Sequence, residues 1–223
     1  MHIPDGFLDA KMWISTSVLG AMAVGHAMRK SKLELEPRQV PQIALIGAFI
    51  FAAQMINFPV MGATSGHFLG GALAAMLFGP WIGIILMSCV LIVQALIFQD
   101  GGITVLGANI LCNAVIGSWA GHLLWRAGAD RLRGKWQAGL AFIAGWMSLV
   151  LAALGVALLL ALSGTVSWPV AFGGMFFWHG IIGIGEGVIT ALVFFYLKER
   201  KWLVDGRAPH ISGVSIQPGG EAR

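Results

Sequence analysis

Of 223 residues, 57% are hydrophobic and only 11% are charged, with a mean hydropathy of +0.81. Soluble globular chains carry about 25% charged residues, so a soluble domain is excluded. The net charge of +4 and pI of 9.4 do not indicate a nucleic-acid partner, because the basic residues sit in short clusters between apolar runs. Runs of about 20 residues without a charge match a hydrocarbon core of about 30 Å. The expected fold is an all-α integral membrane protein of the cell (inner) membrane, with about seven transmembrane helices.

The start, Met1-His2-Ile3-Pro4-Asp5-Gly6, has no basic region ahead of an apolar core. No cleaved signal peptide is therefore expected, and the natural N-terminus should be retained. Residues 1–9 then form an N-terminal segment with possible metal chemistry. The α-amine of Met1, the amide nitrogen of His2 and its imidazole make fused five- and six-membered chelate rings around one divalent ion. With the amide deprotonated, such a set favours square-planar nickel(II) or copper(II), and it needs a fourth nitrogen. Any protein can have His second, so the pair alone is weak. Ile3-Pro4-Asp5-Gly6 adds to it, being a β-turn sequence that folds the first two residues back over the protein.

Seven apolar segments follow, at about 12–29, 41–57, 65–78, 80–98, 104–125, 136–163 and 169–197. The third is short and joins the fourth through Gly79-Pro80, so periodicity alone does not decide between one span and two. Charge does. Arg29, Lys30, Lys32 and Arg38 follow the first segment, Arg126, Arg131, Arg133 and Lys135 the fifth, and Lys198, Arg200, Lys201, Arg207 and Arg223 the seventh. Basic residues collect in cytoplasmic loops, and these clusters share one side only if segments three and four both cross. The N-terminus is then outside and the C-terminus cytoplasmic, with outer loops at 58–64, 99–103 and 164–168. Residues 1–200 make one membrane domain, and 201–223 a polar cytoplasmic tail.

In the second segment, Ala44, Ala48 and Ala52 form a stripe of small residues suited to close helix packing, either within the chain or against another membrane subunit. In the third, His67 is expected in the first helical turn, after Thr64 and Ser65 as candidate caps. There the helix N-terminus keeps an imidazole neutral and able to bind metal, although a surface or capping histidine fits the stretch equally. Cys89 and Cys112 lie in apolar runs and read as buried free thiols. His26 and His122 fall near cytoplasmic helix ends, and His210 in the tail. In the seventh segment Glu186 is the one carboxylate deep in a span, where acids are costly and mark function; an interhelical hydrogen bond from a protonated carboxyl is the bland reading. Asp5, Ser65, Asp100, Asn109, His179 and Glu186 are the candidates for supporting or gating contacts. No P-loop, His-Glu-x-x-His or Gly-x-Ser-x-Gly occurs, so neither ATP hydrolysis nor proteolysis by those motifs is expected, and an enzyme is disfavoured.

Met1-His-Ile-Pro-Asp-Gly-Phe-Leu, Thr64-Ser-Gly-His67-Phe-Leu-Gly-Gly and Asp100-Gly-Gly-x-x-x-Leu-Gly-Ala-Asn109, in this order, resemble the CbiM/NikM family. Its members are the substrate-binding membrane components of energy-coupling-factor (ECF) transporters for cobalt or nickel. The resemblance spans nearly the whole chain. It implies that Met1, His2 and His67 bind cobalt(II) or nickel(II) as transported substrate, with His67 as the fourth nitrogen and no organic cofactor. It also implies a transmembrane coupling subunit, two ATP-binding subunits and a small accessory membrane subunit, which would be separate here. By analogy the alanine stripe docks on the coupling subunit. A square-planar site and Pro4-Asp5 lean towards nickel, while a cobalt role tied to corrin (cobalamin) synthesis stays open. The rival reading is a stand-alone metal permease or channel driven by the membrane potential, for which Glu186 with His179 is the only hint of a polar path.

Overall fold

The computed structural model describes residues 1–32, 37–60 and 64–200. Helix α1 (Ala10–Ser31) starts where the Asp9 carboxylate accepts the Met12 N–H at 2.7 Å, an N-cap bond. The basic Arg29 and Lys30 occupy its last turn, which suits the negative end of the helix dipole. Helix α2 (Val40–Gln54) carries Pro41 in its first turn, where a missing N–H costs nothing. A short antiparallel hairpin, β1 (Phe58–Val60) and β2 (Thr64–Gly66), pairs Phe58 with Gly66.

The third apolar segment differs from expectation. It is helical only in α3 (Gly71–Phe78), whose 8 residues reach about 12 Å, too short to cross alone. Residues 67–70 ahead of it have no regular structure, and 66–75 are all buried. Non-helical backbone in a membrane protein is tolerated where protein covers it, and residues 67–70 are covered. Seven residues of α3, Gly71 to Leu77, are buried, as a helix apolar on every side should be. It packs against α2, α4, α6, α7 and α8.

Gly79, with φ of +86°, breaks the chain between α3 and α4 (Pro80–Ile97). The fifth segment is one continuous rod, α5 (Leu106–Asn109), a π-helical stretch (Ile110–Ile116) and α6 (Gly117–Gly128). Helices α7 (Lys135–Leu162) and α8 (Trp168–Glu199) form the most extensive pair. The described residues thus contain seven helical rods. Three of the helices, α4, α7 and α8, are long and apolar enough to cross a membrane, and α2 is a shorter apolar helix of 15 residues. Large apolar side chains such as Met22, Leu96, Leu123 and Leu192 are exposed around the molecule, the arrangement of a protein solvated by lipid.

The N-terminal segment and two of the expected outer loops meet at one end. The Gly102 N–H donates to the Ile3 carbonyl at 2.9 Å, and the Thr165 hydroxyl to that of Phe7 at 2.5 Å. At the other end the Lys198 ammonium donates to Gln137, whose amide donates to the Ala129 carbonyl at 3.1 Å. Cys112 is buried as expected, but Cys89 is exposed; both are free thiols. His26 is exposed and set edge-on to Trp81, and His122 is half-buried beside Trp119. Lys201, Arg207, His210, Arg223 and the rest of the 201–223 tail lie outside the described residues.

Helices α1 and α5 cross at backbone distance. A Cβ on Gly107 would lie 2.3 Å from the Ser17 Cα and 2.7 Å from the Thr16 carbonyl oxygen. Those atoms belong to a helix backbone and have no rotamer to yield. Gly107→Ala should therefore lower stability by about 1–3 kcal/mol, read as a drop in the thermal unfolding midpoint in detergent.

Candidate metal site

The chain turns back on itself as the Ile3-Pro4-Asp5-Gly6 sequence requires, with Gly6 at φ +84°. Asp5 then ties the turn to the start of α5. Its carboxylate accepts the N–H groups of Thr104 at 2.8 Å and Ile103 at 3.1 Å, and the Thr104 hydroxyl at 2.5 Å. The Thr104 hydroxyl bond is the main cause that holds this carboxyl below the usual range. Asn109 grips the next stretch as a strand neighbour would. Its side-chain oxygen accepts the Ile3 N–H at 2.8 Å, and its amide donates to the Ile3 carbonyl at 3.1 Å.

These ties press the first two residues into the protein. Met1, His2 and His67 are 0%, 3% and 1% exposed. The Met1 amine sits in direct contact with Nε2 of His67 and donates to the Ser65 hydroxyl at 3.2 Å. The rings of His2 and His67 lie with centroids 4.6 Å apart. Nδ1 of His67 donates to the Phe68 carbonyl at 2.6 Å, so the proton of the neutral ring is on Nδ1 and Nε2 presents a lone pair. Burial pushes the Met1 amine down to about 4, against the opposing pull of Asp100, and burial likewise lowers His2 against its bond to Asp100. Near neutrality both are uncharged donors.

Asp100 accepts from Nδ1 of His2 at 2.9 Å and from the Asn57 amide at 3.0 Å. Burial raises its carboxyl, but the bond to His2 and the charges of His2 and the amine, with Asn57, bring it below the usual range. The six-membered chelate ring needs this same Nδ1, whereas Nε2 of His2 is buried with no hydrogen-bond partner. A chelate through His2 would therefore compete with the Asp100 bond for one atom. Outside lies an open cavity of about 530 Å³, lined by His2, Asp5, Asn57, Ser65 and Asp100 among others. Among the described residues no group of three His, Cys, Asp or Glu side chains is placed to hold a metal. A metal site here has to draw on the backbone start.

Several expectations need correction. His67 is not in a first helical turn: α3 begins at Gly71, and its N-cap position is Gly70, not Thr64 or Ser65. Nor is His67 a surface residue. Ser65 touches the Met1 amine instead. Ala44, Ala48 and Ala52 are all exposed, because α2 turns Ile46, Gly47 and Ile50 inward; the stripe does not pack within the chain. Glu186 does not bridge helices as a donor. Both its oxygens accept, from the N–H of Leu69 at 2.6 Å and of Gly70 at 2.9 Å. His179 is buried, its Nδ1 bonded to the Met175 carbonyl at 2.9 Å.

Sequence reasoning missed Gln54 and Gln94. Gln54 donates to the Leu69 carbonyl at 2.5 Å and accepts from Gln94 at 2.8 Å. The available signal was two amides inside otherwise apolar runs, where a polar group needs a partner.

Fold and site together describe a membrane protein that gathers the Met1 amine and the rings of His2 and His67 at one end of its helices. The comparisons agree. The chain matches, over residues 2–204, the model of the CbiM family, described as the cobalt uptake substrate-specific transmembrane region, and it belongs to that family. It is 41% identical to a protein of Haloquadratum walsbyi named for metal transport, over 90% of this chain and 91% of the relative. It is 38% identical to a fused nickel transport protein of Archaeoglobus fulgidus, over 90% of this chain and 66% of the relative. The crystal structure of a truncated transition metal transporter superposes with a TM-score of 0.84 at 32% identity, covering 90% of this chain and 99% of that one. The chain is thus a cobalt/nickel transport component.

Asn109 is the tie whose removal tests this geometry without metal. Asn109→Ala leaves the Ile3 N–H unpaired, at a cost of about 1–3 kcal/mol, and leaves the Ile3 carbonyl only its bond from the Gly102 N–H. The Met1 amine should then react faster with an amine-specific label at neutral pH, measured by mass spectrometry of the N-terminal peptide.

Proposed function

We propose that this chain is the substrate-capturing membrane component of an ATP-driven ECF importer for nickel(II) or cobalt(II). The observation that carries the reading is the buried Met1 amine in contact with Nε2 of His67 and beside the ring of His2. Four nitrogens then surround one ion: the amine, the His2 amide, the His2 ring and His67. The open cavity beside Asp100 and Asp5 is the approach for a hydrated cation, and two carboxylates there favour positive charge over anions. The N-terminal end faces outside and the end carrying Arg126, Lys135 and Lys198 faces the cytoplasm, in keeping with the placement of basic residues. The coupling subunit, two ATP-binding subunits and a small accessory membrane subunit complete the importer. The exposed Ala44, Ala48 and Ala52 suit contact with a partner helix. Chain-dependent uptake into vesicles should require the ATP-binding partners; uptake driven by membrane potential alone would identify a permease instead.

The chelate is tested on the purified chain with its native start. One residue added before Met1 removes the amine from its place, and His2→Ala or His67→Ala removes a ring. Each should abolish nickel and cobalt binding in calorimetry while leaving thermal unfolding of the metal-free protein close to wild type. Undiminished binding by the extended variant would sink the reading. In a competition titration nickel should win over cobalt, since nickel lies higher in the Irving–Williams order and accepts a planar field of four nitrogens.

The pH dependence has a definite sign. With the amine already neutral above about pH 4 and burial lowering His2, the proton released between pH 6 and 8 is that of the His2 amide. Affinity should fall as pH falls, by about tenfold per unit for one proton per ion. Proton release counted by calorimetry in buffers of different ionisation enthalpy checks it.

A further inference from the structure

Glu186 and His67 lie on either side of one peptide group. Oε2 of Glu186 accepts the Leu69 N–H at 2.6 Å. The carbonyl of that same peptide, the Phe68 oxygen, accepts Nδ1–H of His67 at 2.6 Å. A trans peptide is planar with its N–H and C=O pointing opposite ways, so the chain of contacts runs carboxylate, peptide, imidazole, with Nε2 of His67 at its far end beside the Met1 amine. A histidine that binds metal usually donates its other N–H to a carboxylate or carbonyl, which orients the ring and makes it a better donor. Here both groups are present in series, and hydrogen bonds in series strengthen one another.

The surroundings leave this peptide little freedom. Oε1 of Glu186 holds the next N–H, that of Gly70, at 2.9 Å. Gly70 has φ of +82°, and a Cβ there would lie 2.7 Å from Ile50. From the opposite side Gln54 on α2 holds the Leu69 carbonyl at 2.5 Å. Glu186 itself is 2% exposed on α8, and both its oxygens accept from the 67–70 backbone. It is spent on the backbone that carries His67 rather than on a helix neighbour.

We propose that Glu186 is a positioning residue for the captured ion: through the Phe68–Leu69 peptide it fixes the His67 ring and strengthens Nε2 as a ligand. This rests on the four-nitrogen chelate proposed above. It also makes α8 the element whose displacement loosens the ion, because withdrawing the carboxylate frees the peptide that His67 leans on.

The test is the nickel-bound visible spectrum and affinity of the full chain with its native start. In Glu186→Gln the side-chain NH2 or its rotated oxygen meets two N–H groups, and one bond is lost. Nickel affinity should fall about 10–100-fold, and the d–d band should move to longer wavelength as His67 weakens. A folded E186Q with wild-type affinity and band would overturn the proposal. A residue with a purely structural role would lower the unfolding midpoint of the metal-free protein and leave the bound spectrum unmoved, which would also overturn it. Should E186Q not fold, Glu186→Asp decides: one methylene short of the peptide, it should bind nickel more weakly than wild type, and wild-type affinity would refute the assignment. A second arm uses copper(II), which the remaining three nitrogens of His67→Ala still hold. On that background E186Q should cost no further copper affinity, because its route through His67 is gone; a full further loss would count against the proposal. A wild-type chain without a planar four-nitrogen band would overturn the chelate reading itself, whatever the Glu186 variants do.

Discussion

A chain start is normally an ammonium ion in water, and burying one uncompensated is too costly for a fold to bear. This protein buries its Met1 nitrogen completely, which fixes much else. The amine has to be uncharged, and burial makes it so. It also has to be held, since a free terminus otherwise frays. The holding is done by groups far away in sequence: Asn109 on Ile3, Gly102 on the Ile3 carbonyl, and Asp5 on the start of α5. Each lies at the same end of the bundle. The N-terminal segment serves as the floor of the outer cavity as well as a tether, so the helices are arranged around their own first two residues.

A second constraint meets the first at His67. A segment without regular structure is expensive within an apolar bundle unless its N–H and C=O groups find partners. Residues 67–70 find theirs in Glu186 and Gln54, on α8 and α2. The polar side chains inside the spans therefore act on the backbone. They stabilise a stretch of chain without regular structure, and that stretch carries His67 to the Met1 amine.

Much of this was legible in the residues. Charge placement required the third and fourth segments to be counted separately, and the outer loops at 99–103 and 164–168 do gather with the N-terminus at one end. Met1 and His2 are legible as a chelating pair because amine, amide and imidazole at a chain start have a known chelating geometry, whereas His67 enters as the fourth nitrogen only through the family resemblance. The errors came from what apolar composition conceals. Phe-Leu-Gly-Gly after His67 reads as helix, since periodicity does not register that Gly70 turns to positive φ or that a carboxylate 116 residues away holds its N–H. Ala44, Ala48 and Ala52 looked suited to interior packing, because small residues are the same in sequence whether they face a helix or lipid. Gln54 and Gln94 passed unnoticed since a neutral amide disturbs hydropathy little, although its hydrogen-bonding demand in a bilayer is large.

The proposed donor set, made from the chain's own start, also bears on selectivity. Magnesium and calcium prefer oxygen ligands, and zinc favours a tetrahedron; an amine, its neighbouring amide and the attached imidazole are tied into fused rings close to one plane. Cations that dominate in most surroundings are thus disfavoured by ligand type or by shape. Copper(II) accepts the same plane and lies higher in affinity than nickel, so shape alone does not reject it, and availability outside the cell has to do the rest. Asp100 adds a further filter. It holds Nδ1 of His2 at 2.9 Å, so an ion chelated as proposed would have to take that atom from a carboxylate.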